Sequence, residues 1–326
     1  MEDRLQERIS EGEHRAGARP SVSVVIPAYN YGRFLGHTIE SMLSQSYAPL
    51  QVVVVNDGST DETGEVIRRY QADPRVQGHT QANQGTMIAM NNGIALSQGA
   101  YLAFCGSDDL WNPEHVGRLM REFERHPEAG LVFDNAEYFR DQTGERCGQV
   151  VPEKKAKELS GRQVCLQEIF LHNWITNCTF LVRREVFNCV GLFEPKNDLL
   201  GDLHLIYRIA AHYPVYFVDY TGVRLRVHGR NMSTLCPHYE NGVRNLEDIR
   251  QNYPEVYGKI GAALFARKLG RKYFRLACYY ERTGEPAKAL ATYKKAFLTR
   301  RSRPQYYWNY LRLSCSAALG ARGEVP

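Results

Sequence analysis

Short apolar runs alternate with stretches of helical periodicity in the first part of the chain, and this alternation constrains the fold more than any other feature. The runs cover residues 21–26, 51–55 and 101–104. Continuous apolar strands are typical of a parallel sheet that is buried on both faces. Helical segments between such strands fit crossover connections. The sequence therefore predicts an α/β fold with a mostly parallel, Rossmann-like sheet flanked by helices.

The remaining elements follow from the same patterns. Residues 130–139 predict a further strand, and the polar stretch 140–162 predicts a loop. Beyond Cys236 the strand patterns stop, and the rest of the chain predicts helices. Earlier helices are predicted over about 33–46, 61–70 and 86–97 and from near Pro113, with Thr60 or Asp61 as the N-cap of the second.

Polar residues follow three predicted strands, at 27–30, 56–58 and 106–109. Ligands of open α/β sheets bind beyond the carboxyl ends of the strands, so these segments are candidates for one site. Asp57 can accept hydrogen bonds from a ribose or a base, or it can serve only an Asx-type turn. The chain lacks both G-x-G-x-x-G and G-x-x-x-x-G-K-[ST], which weakens dinucleotide and P-loop interpretations.

Asp108 and Asp109 are adjacent carboxylates at the end of an apolar strand. Such a pair is costly unless a positive group neutralises it. A divalent cation that also binds a diphosphate would do so, because Mg²⁺ and Mn²⁺ prefer oxygen ligands. The alternative is a solvated turn with a helix-capping aspartate.

Four motifs occur in a fixed order: Pro27-Ala-Tyr-Asn30, Val54-Val-Asn-Asp-Gly-Ser-Thr-Asp61, Asn83-Gln-Gly85 with Ala89-Met-Asn91, and Tyr101-Leu-Ala-Phe-Cys-Gly-Ser-Asp-Asp-Leu-Trp-Asn-Pro113. Together they resemble the family 2 glycosyltransferases of the GT-A fold, over about residues 21–130 and more loosely to about 235. The resemblance implies a nucleotide-sugar donor, most often UDP-linked, and a divalent cation, Mg²⁺ or Mn²⁺. It also implies a one-step displacement that inverts the anomeric centre.

The resemblance assigns roles to single residues. Asp202 matches the general base, although it can also be the N-cap of an apolar-periodic helix. A positioned carboxylate can take the proton of an acceptor hydroxyl, and a metal can stabilise the leaving diphosphate. The metal ligands are expected to be Asp108, Asp109 and His228, and a structural histidine is the alternative for the last. Positions matching the nucleotide-sugar site are Pro27, Ala28, Tyr29 (available for stacking on the base), Asn30, Asp57, Asn83, Gly85, Asp108 and His228.

Acceptor specificity is expected to come from residues 140–200 and from nearby aromatic groups. Trp111, Trp174 and Asn177 are candidates for contacts to a saccharide or lipid-linked saccharide acceptor, and packed core is the alternative for the tryptophans. Glycine stands at 106 and 201, where the family often has an acidic residue. These two glycines support a second hypothesis, a non-catalytic scaffold that recruits a partner through its C-terminal helices.

Charge is unevenly distributed. From Lys259 onward the chain has 15 Lys and Arg against 3 Asp and Glu, whereas the preceding residues have 26 against 33. Residues 300–313 combine arginines with Tyr and Trp, which suits an interfacial helix on an anionic membrane, with a soluble helical cap as the alternative. No nucleic-acid-binding motif accompanies the charge.

Three regions are predicted: a leader over 1–19, a catalytic domain over 20–235 and a basic helical region over 236–326. Within the last, residues 273–297 resemble one tetratricopeptide-type hairpin with its turn at Gly284-Glu-Pro286. Eight cysteines without a C-x-x-C pair argue against a structural zinc site. The polar start of the chain has no apolar stretch, which predicts a cytoplasmic protein. If the basic helices bind lipid, the protein is expected at the inner face of the cell membrane, where it would take part in polysaccharide or glycolipid assembly.

Overall fold

The computed structural model describes residues 21–197, 200–229, 231 and 238–320. The chain divides into two compact units, Met1–Thr234 and Leu235–Pro326. The leader predicted over 1–19 and the domain boundary predicted between 235 and 236 lie outside the described residues.

The first unit is built on a mixed sheet of nine strands in the part of the chain that the structure describes. Its strand order is β3-β2-β1-β4-β8-β6-β9-β5, and β7 pairs with β6 off this path. The strands are β1 (Val22–Ala28), β2 (Leu50–Asp57), β3 (Val76–Gln81), β4 (Tyr101–Phe104), β5 (Leu110–Trp111), β6 (Leu131–Arg140), β7 (Arg146–Gln149), β8 (Phe180–Arg183) and β9 (Val215–Val227).

The parallel part of the sheet matches the predicted βαβ units. Strands β3, β2, β1 and β4 are all parallel, and β6 is parallel to β9. Strand β8 runs antiparallel between these two parallel groups, and β5 and β7 are also antiparallel to their partners. In register, Ala28 lies opposite Asn56 and Val25 opposite Phe104, so the carboxyl ends of β1, β2 and β4 meet at one edge.

Helices cover both faces of this sheet. The predicted helices are present, but the first turn of the second begins at Thr63 with Glu62 as N-cap, rather than Thr60 or Asp61. The helices of the first unit are α1 (Gly32–Leu43), α2 (Thr63–Tyr70), α3 (Thr86–Leu96), α4 (His115–Arg125), α5 (Glu153–Leu159), α6 (Leu166–His172), α7 (Val186–Val190) and α8 (Gly201–His212), with 3₁₀ turns at Asn177–Thr179 and Pro195–Asn197.

The loop prediction for residues 140–162 is wrong, because this stretch contains β7 and α5. Its few apolar side chains point inward: Val151 and Leu159 have no exposed surface. The side-chain amide of Asn135 donates to the carbonyl oxygen of Val151 at 2.8 Å and accepts from its N–H at 2.9 Å. Burial of sparse apolar groups therefore outweighs the polar composition.

The second unit is helical throughout its described residues, as predicted. It contains α9 (His238–Asn252), α10 (Pro254–Ile260), α11 (Ala262–Arg282), α12 (Pro286–Thr299) and α13 (Pro304–Gly320). Helices α11 and α12 form the predicted hairpin, and Ala277, Ala289 and Tyr293 are buried in it. The turn needs a glycine at 284, where φ is +77°. None of the helices that the structure describes is long and apolar enough to cross a membrane.

Candidate active site

Asp57 organises the loop that leads into α3. Its side chain is 3% exposed. One carboxylate oxygen accepts the side-chain N–H of Gln81 at 2.8 Å and the backbone N–H of Gln84 at 2.9 Å, and the other accepts the backbone N–H of Gly85 at 2.9 Å. A carboxylate has about four acceptor positions, so one remains for a ligand. Asp57 therefore holds the Asn83–Gly85 segment against the end of β2, beside the position predicted for a nucleobase.

Asn30 ties the end of β1 to the end of β2. Its backbone is left-handed, with φ of +57°. Its N–H donates to Ser59 Oγ at 3.0 Å, and its side-chain oxygen accepts the N–H of Thr60 at 2.8 Å. Pro27 and Ala28 complete β1, and the ring of Tyr29 beyond them is 47% exposed. The structure thus places 27–30, Asp57 and 83–85 around one end of the sheet, with a tyrosine ring open to solvent.

Asp108 and His228 lie in direct contact. Nε2 of His228 is 3.0 Å from Oδ2 of Asp108, and the side-chain amide of Asn231 donates to the same oxygen at 3.2 Å. The imidazole is stacked on the ring of Phe34, with 4.7 Å between centroids and 28° between planes. Ring stacking fixes the orientation of the imidazole, so its Nε2 stays directed at the carboxylate.

Asp109 points into the protein and is held from two sides. Its Oδ1 accepts the backbone N–H of Arg226 at 2.9 Å, and its Oδ2 accepts the Sγ–H of Cys178 at 3.1 Å. Burial, and then repulsion by Asp108, raises the pKa of Asp109 to about 8. The two adjacent carboxylates therefore have different surroundings, and Asp108 is the one that faces His228.

Asp202 lies in the first turn of α8, but its carboxylate caps no helix. The N-cap is Leu200, with φ of +70° and no capping side chain. The carboxylate accepts the backbone N–H of Leu203 at 2.8 Å. Burial raises the pKa of Asp202, and the backbone N–H groups of Leu203, Asp202 and Asn177 act in the opposite direction. A fixed, partly desolvated carboxylate is a suitable proton acceptor.

A short 3₁₀ turn connects the candidate base with the acidic pair. The backbone N–H of Asn177 acts to lower the pKa of Asp202, while the next residue, Cys178, donates to Asp109. The backbone N–H of Gly106 also donates to Sγ of Cys178 at 3.2 Å. Two consecutive residues thus join the carboxylates that the sequence assigns to base and metal.

Neither tryptophan offers an open ring face. Trp111 is 3% exposed and donates its indole N–H to the carbonyl oxygen of Cys178 at 3.0 Å. Trp174 is 6% exposed, stacks on His172 and has the Lys155 ammonium 5.0 Å from its ring centroid. The packed-core interpretation describes both residues. Asn177, the third acceptor candidate, has a buried side-chain oxygen without a hydrogen-bond partner.

The two glycines that depart from the family pattern stand at crowded positions. A Cβ at position 201 would lie 2.3 Å from Sδ of Met87, so a side chain there would require the flexible Met87 side chain to move. A Cβ at position 106 would lie 3.0 Å from a carboxylate oxygen of Asp108 and one of Asp109. A side chain at either position would require neighbouring side chains to shift, and Asp202 and the acidic pair are retained.

A divalent cation fits this site if the protein and the substrate phosphates coordinate it together, rather than the protein alone. Over residues 21–197, 200–229, 231 and 238–320, no three His, Cys, Asp or Glu side chains are grouped to hold a metal ion. Mg²⁺ is usually bound through one or two carboxylates together with substrate phosphates. Asp108 supplies a carboxylate of that kind with the His228 imidazole beside its Oδ2, whereas both oxygens of Asp109 are already hydrogen-bonded.

Arg226, Asp141 and Cys178 were missed by sequence reasoning. Arg226 donates from Nε to the carbonyl oxygen of Asp108 at 2.8 Å and from Nη1 to Asp141 at 2.7 Å. One signal was present: Arg224 and Arg226 alternate along β9, which places both side chains on the same face, and His228 follows directly after the strand. A cleft of about 920 Å³ opens beside His228 and is lined in part by Tyr31, Arg33, Phe34, Arg140 and Asp141.

Sequence relatives of this chain carry glycosyltransferase names. An uncharacterized glycosyltransferase of Nostoc sp. is 37% identical over 113 residues, which make up 34% of this chain and 35% of that protein. An uncharacterized glycosyltransferase of Rickettsia typhi is 27% identical over 209 residues, or 64% of each protein. The chain thus spans between about one third and two thirds of the length of these relatives.

Solved structures share the fold. S. aureus TarS, solved in complex with UDP-GlcNAc, has a TM-score of 0.68 at 16% identity, with 92% of each chain covered. A mannosyltransferase from Pyrobaculum calidifontis, solved with GDP-Man and Mn²⁺, has a TM-score of 0.57 at 17% identity, with 95% of this chain and 90% of that chain covered. Residues 23–191 match the model for glycosyl transferase family 2. Because this match spans more than half of the 326 residues, the chain belongs to glycosyl transferase family 2 and has the GT-A fold.

Proposed function

We propose that the protein transfers a sugar from a nucleotide-sugar donor to a hydroxyl acceptor with inversion at the anomeric carbon. The observation that carries this proposal is the turn Asn177–Thr179, whose first residue lies near Asp202 and whose second residue, Cys178, donates to Asp109. A direct displacement needs a base on one side of the anomeric carbon and charge stabilisation for the leaving group on the other. This chain holds a carboxylate for each task.

The donor is assigned to the edge of the sheet formed by 27–30, Asp57 and 83–85. The exposed ring of Tyr29 offers a stacking face for a base, and Asp57 keeps one acceptor position beside it. A UDP-linked sugar is favoured by the motif resemblance and by the UDP-GlcNAc bound to TarS. GDP-linked sugars are the comparison to test, since the mannosyltransferase binds GDP-Man.

Asp108 and His228 would hold a divalent cation together with the diphosphate, with Asp109 as a buried neighbour. Such a cation would act as a Lewis acid and stabilise charge on the departing nucleoside diphosphate. The carboxylate of Asp202, which accepts the N–H group of Leu203, takes the proton of the acceptor hydroxyl. We assign the acceptor, a saccharide or lipid-linked saccharide in polysaccharide or glycolipid assembly, to the region around Asn177.

Asp202→Asn tests the assignment of the base. Because proton transfer contributes roughly 10²–10⁴-fold to rate, turnover should fall by at least that lower bound while nucleotide binding is retained. Asp219→Asn makes the same change at an exposed position of β9 and should leave turnover unchanged. Binding is followed as a rise in melting temperature with UDP- and GDP-sugars, with and without Mn²⁺. Full turnover by Asp202→Asn would exclude this base.

The non-catalytic scaffold hypothesis makes the opposite prediction. Donor hydrolysis and transfer should then both be absent across the nucleotide-sugar panel, with cell lysate supplied as the source of acceptors. The retained contacts of Asp202, Asp108 and His228 favour the enzyme. Any donor-specific turnover that depends on Asp202 excludes the scaffold.

We also propose that the second unit contacts an anionic membrane surface. At the corner between α12 and α13, Trp308 is 66% exposed, Leu298 52% and Tyr307 41%. Arg300, Arg301 and Arg303 stand between them in the chain, so an aromatic and aliphatic surface has cations beside it.

The test is co-sedimentation with phosphatidylglycerol and phosphatidylcholine vesicles. Changing Arg300, Arg301 and Arg303 to Gln should abolish binding to the anionic vesicles, as should Trp308→Ser. Changing the exposed Arg267, Arg271 and Arg275 of α11 to Gln removes equal charge elsewhere and should weaken binding far less. No sedimentation of the wild-type protein at low salt would refute the membrane proposal.

A further inference from the structure

Arg226 contacts both members of the acidic pair at once. Its backbone N–H donates to Oδ1 of Asp109 at 2.9 Å, and its Nε donates to the carbonyl oxygen of Asp108 at 2.8 Å. The Asp108 carbonyl belongs to the peptide group that joins the two aspartates. Holding that group fixes the backbone from which both carboxylates project.

The guanidinium is itself held in a fixed position. It lies between two aromatic rings, 5.0 Å from the centroid of Phe34 and 4.8 Å from that of Phe139. Its Nη1 donates to Oδ1 of Asp141 at 2.7 Å, and the side chains of both residues are about a tenth exposed. The other oxygen of Asp141 accepts from Arg33 at 2.9 Å. A buried charge with a carboxylate partner and two ring faces has little freedom to move.

The register of the sheet explains why these groups meet. Arg226 lies opposite Phe139 in the parallel pair β6–β9, and Asp141 follows directly after β6. The backbone N–H of Asp141 donates to the carbonyl oxygen of Val227 at 3.1 Å. Arg226 and Asp141 are therefore brought to the same sheet edge as the carboxylates by strand pairing, independently of any ligand.

We propose that Arg226 is a positioning residue for the acidic pair, and that Asp141 is the partner that fixes its guanidinium. The planar fork is essential, because one edge donates through Nε to the Asp108 carbonyl while Nη1 donates to Asp141. A lysine ammonium is a point charge and cannot reproduce this geometry. The expected effect of Arg226 on nucleotide affinity rests on the proposed function. Its effect on the position of the acidic pair does not.

Arg224 provides a matched control on the same strand. Its guanidinium lies 4.5 Å from the centroid of the same Phe139 ring, and its Nε is 3.3 Å from a carboxylate oxygen of Glu137. It therefore shares with Arg226 the strand, the ring and an acidic partner. It is displaced by two residues from the position that reaches Asp108 and Asp109.

The experiment compares Arg226→Met, Arg226→Lys and Arg224→Met in the full chain. Amide hydrogen exchange in a peptide covering 106–111 should accelerate at least about tenfold in both Arg226 variants and stay at the wild-type rate in Arg224→Met. The melting temperature of each variant, followed by circular dichroism, shows that the protein is folded. If Arg226→Met does not fold, Arg226→Lys carries the comparison.

Calorimetric titration with UDP and Mn²⁺ gives a second readout. Affinity should fall at least about tenfold in the Arg226 variants and remain unchanged in Arg224→Met. The proposal would be overturned if both Arg226 variants exchanged over 106–111 at the wild-type rate. It would also be overturned if Arg224→Met accelerated exchange as much as they do. If only Arg226→Lys exchanged at the wild-type rate, the role of the planar fork would be overturned. Hydrogen exchange needs no ligand. If the wild-type protein does not bind nucleotide, that result counts against the proposed function, and the exchange data alone then decide whether Arg226 positions the acidic pair.

Discussion

His228 reaches Asp108 across 120 residues of chain, with its Nε2 3.0 Å from Oδ2 of the carboxylate. The histidine follows the end of β9, and the aspartate follows β4, three strands away in the order of the sheet. Phe34, near the start of α1, supplies the ring on which the imidazole stacks. Three separate parts of the sequence therefore converge on one donor pair.

Replacing His228 with Phe should keep the ring stack and remove the nitrogen. Affinity for UDP measured with Mn²⁺ should fall at least about tenfold, corresponding to roughly 1.4 kcal/mol, while affinity measured without metal changes little. His126→Phe is the control, because that imidazole is also stacked on an aromatic ring, that of Tyr216. Metal-dependent affinity equal to that of the wild type would remove His228 from the metal site.

Cys178→Ala should lower the free energy of unfolding. The substitution removes the Sγ–H donor to Asp109 and the Sγ acceptor for the N–H of Gly106, leaving buried polar groups unpaired at a cost of about 1–3 kcal/mol. Cys178→Ser keeps a donor and acceptor and should recover part of the loss. Urea denaturation measures both, with Cys189→Ala as an exposed control. Equal stability of the alanine variant and the wild type would show that these contacts contribute nothing.

Asp57→Asn tests whether the carboxylate holds the segment 83–85. An amide has one acceptor oxygen, so it cannot accept from Gln81, Gln84 and Gly85 together with the wild-type geometry. Loss of one such hydrogen bond to a charged group should cost about 1.5–3 kcal/mol of unfolding free energy. Asp73→Asn, on the surface, should show no comparable loss. A variant as stable as the wild type, but weaker in UDP binding, would give Asp57 a role in binding alone.

The sequence could predict those residues of the candidate site that directly follow the ends of parallel strands. Ala28 and Asn56 are adjacent in register, so the segments after β1 and β2 had to meet once the parallel order was correct. Arg226 could not be predicted in this way, because its partners lie 85 and 118 residues earlier in the chain and depend on the pairing of β6 with β9.

The direction in which a side chain points could not be predicted from the residue type either. Trp111 and Trp174 suit a sugar ring chemically, but β5 and the segment after α6 turn both into the protein, where they are 3% and 6% exposed. Asp108 and Asp109 read as equivalent in sequence. Only the packing of Cys178 and Arg226 distinguishes the buried carboxylate from the one that faces His228.

A buried histidine–aspartate pair is expected to make the free energy of unfolding depend on pH. Nδ1 of His115 is 2.7 Å from Oδ2 of Asp134, and neither side chain has exposed surface. Burial raises the pKa of Asp134 to about 6, although the contact with His115 acts in the opposite direction. The folded protein therefore keeps the Asp134 proton at pH values where the unfolded chain has already lost it.

The sign of the effect follows from proton linkage. Between about pH 4 and pH 6 the folded state binds more protons at this position than the unfolded state, so rising pH lowers the free energy of unfolding. At about 1.36 kcal/mol per pH unit, the loss from Asp134 amounts to at most about 3 kcal/mol and levels off above pH 6. Asp134→Asn has no titrating proton, so its free energy of unfolding minus that of the wild type should increase across this range. Urea denaturation of both proteins from pH 4 to pH 8 measures the difference, and a value independent of pH would mean that Asp134 has the same pKa in the folded and unfolded states.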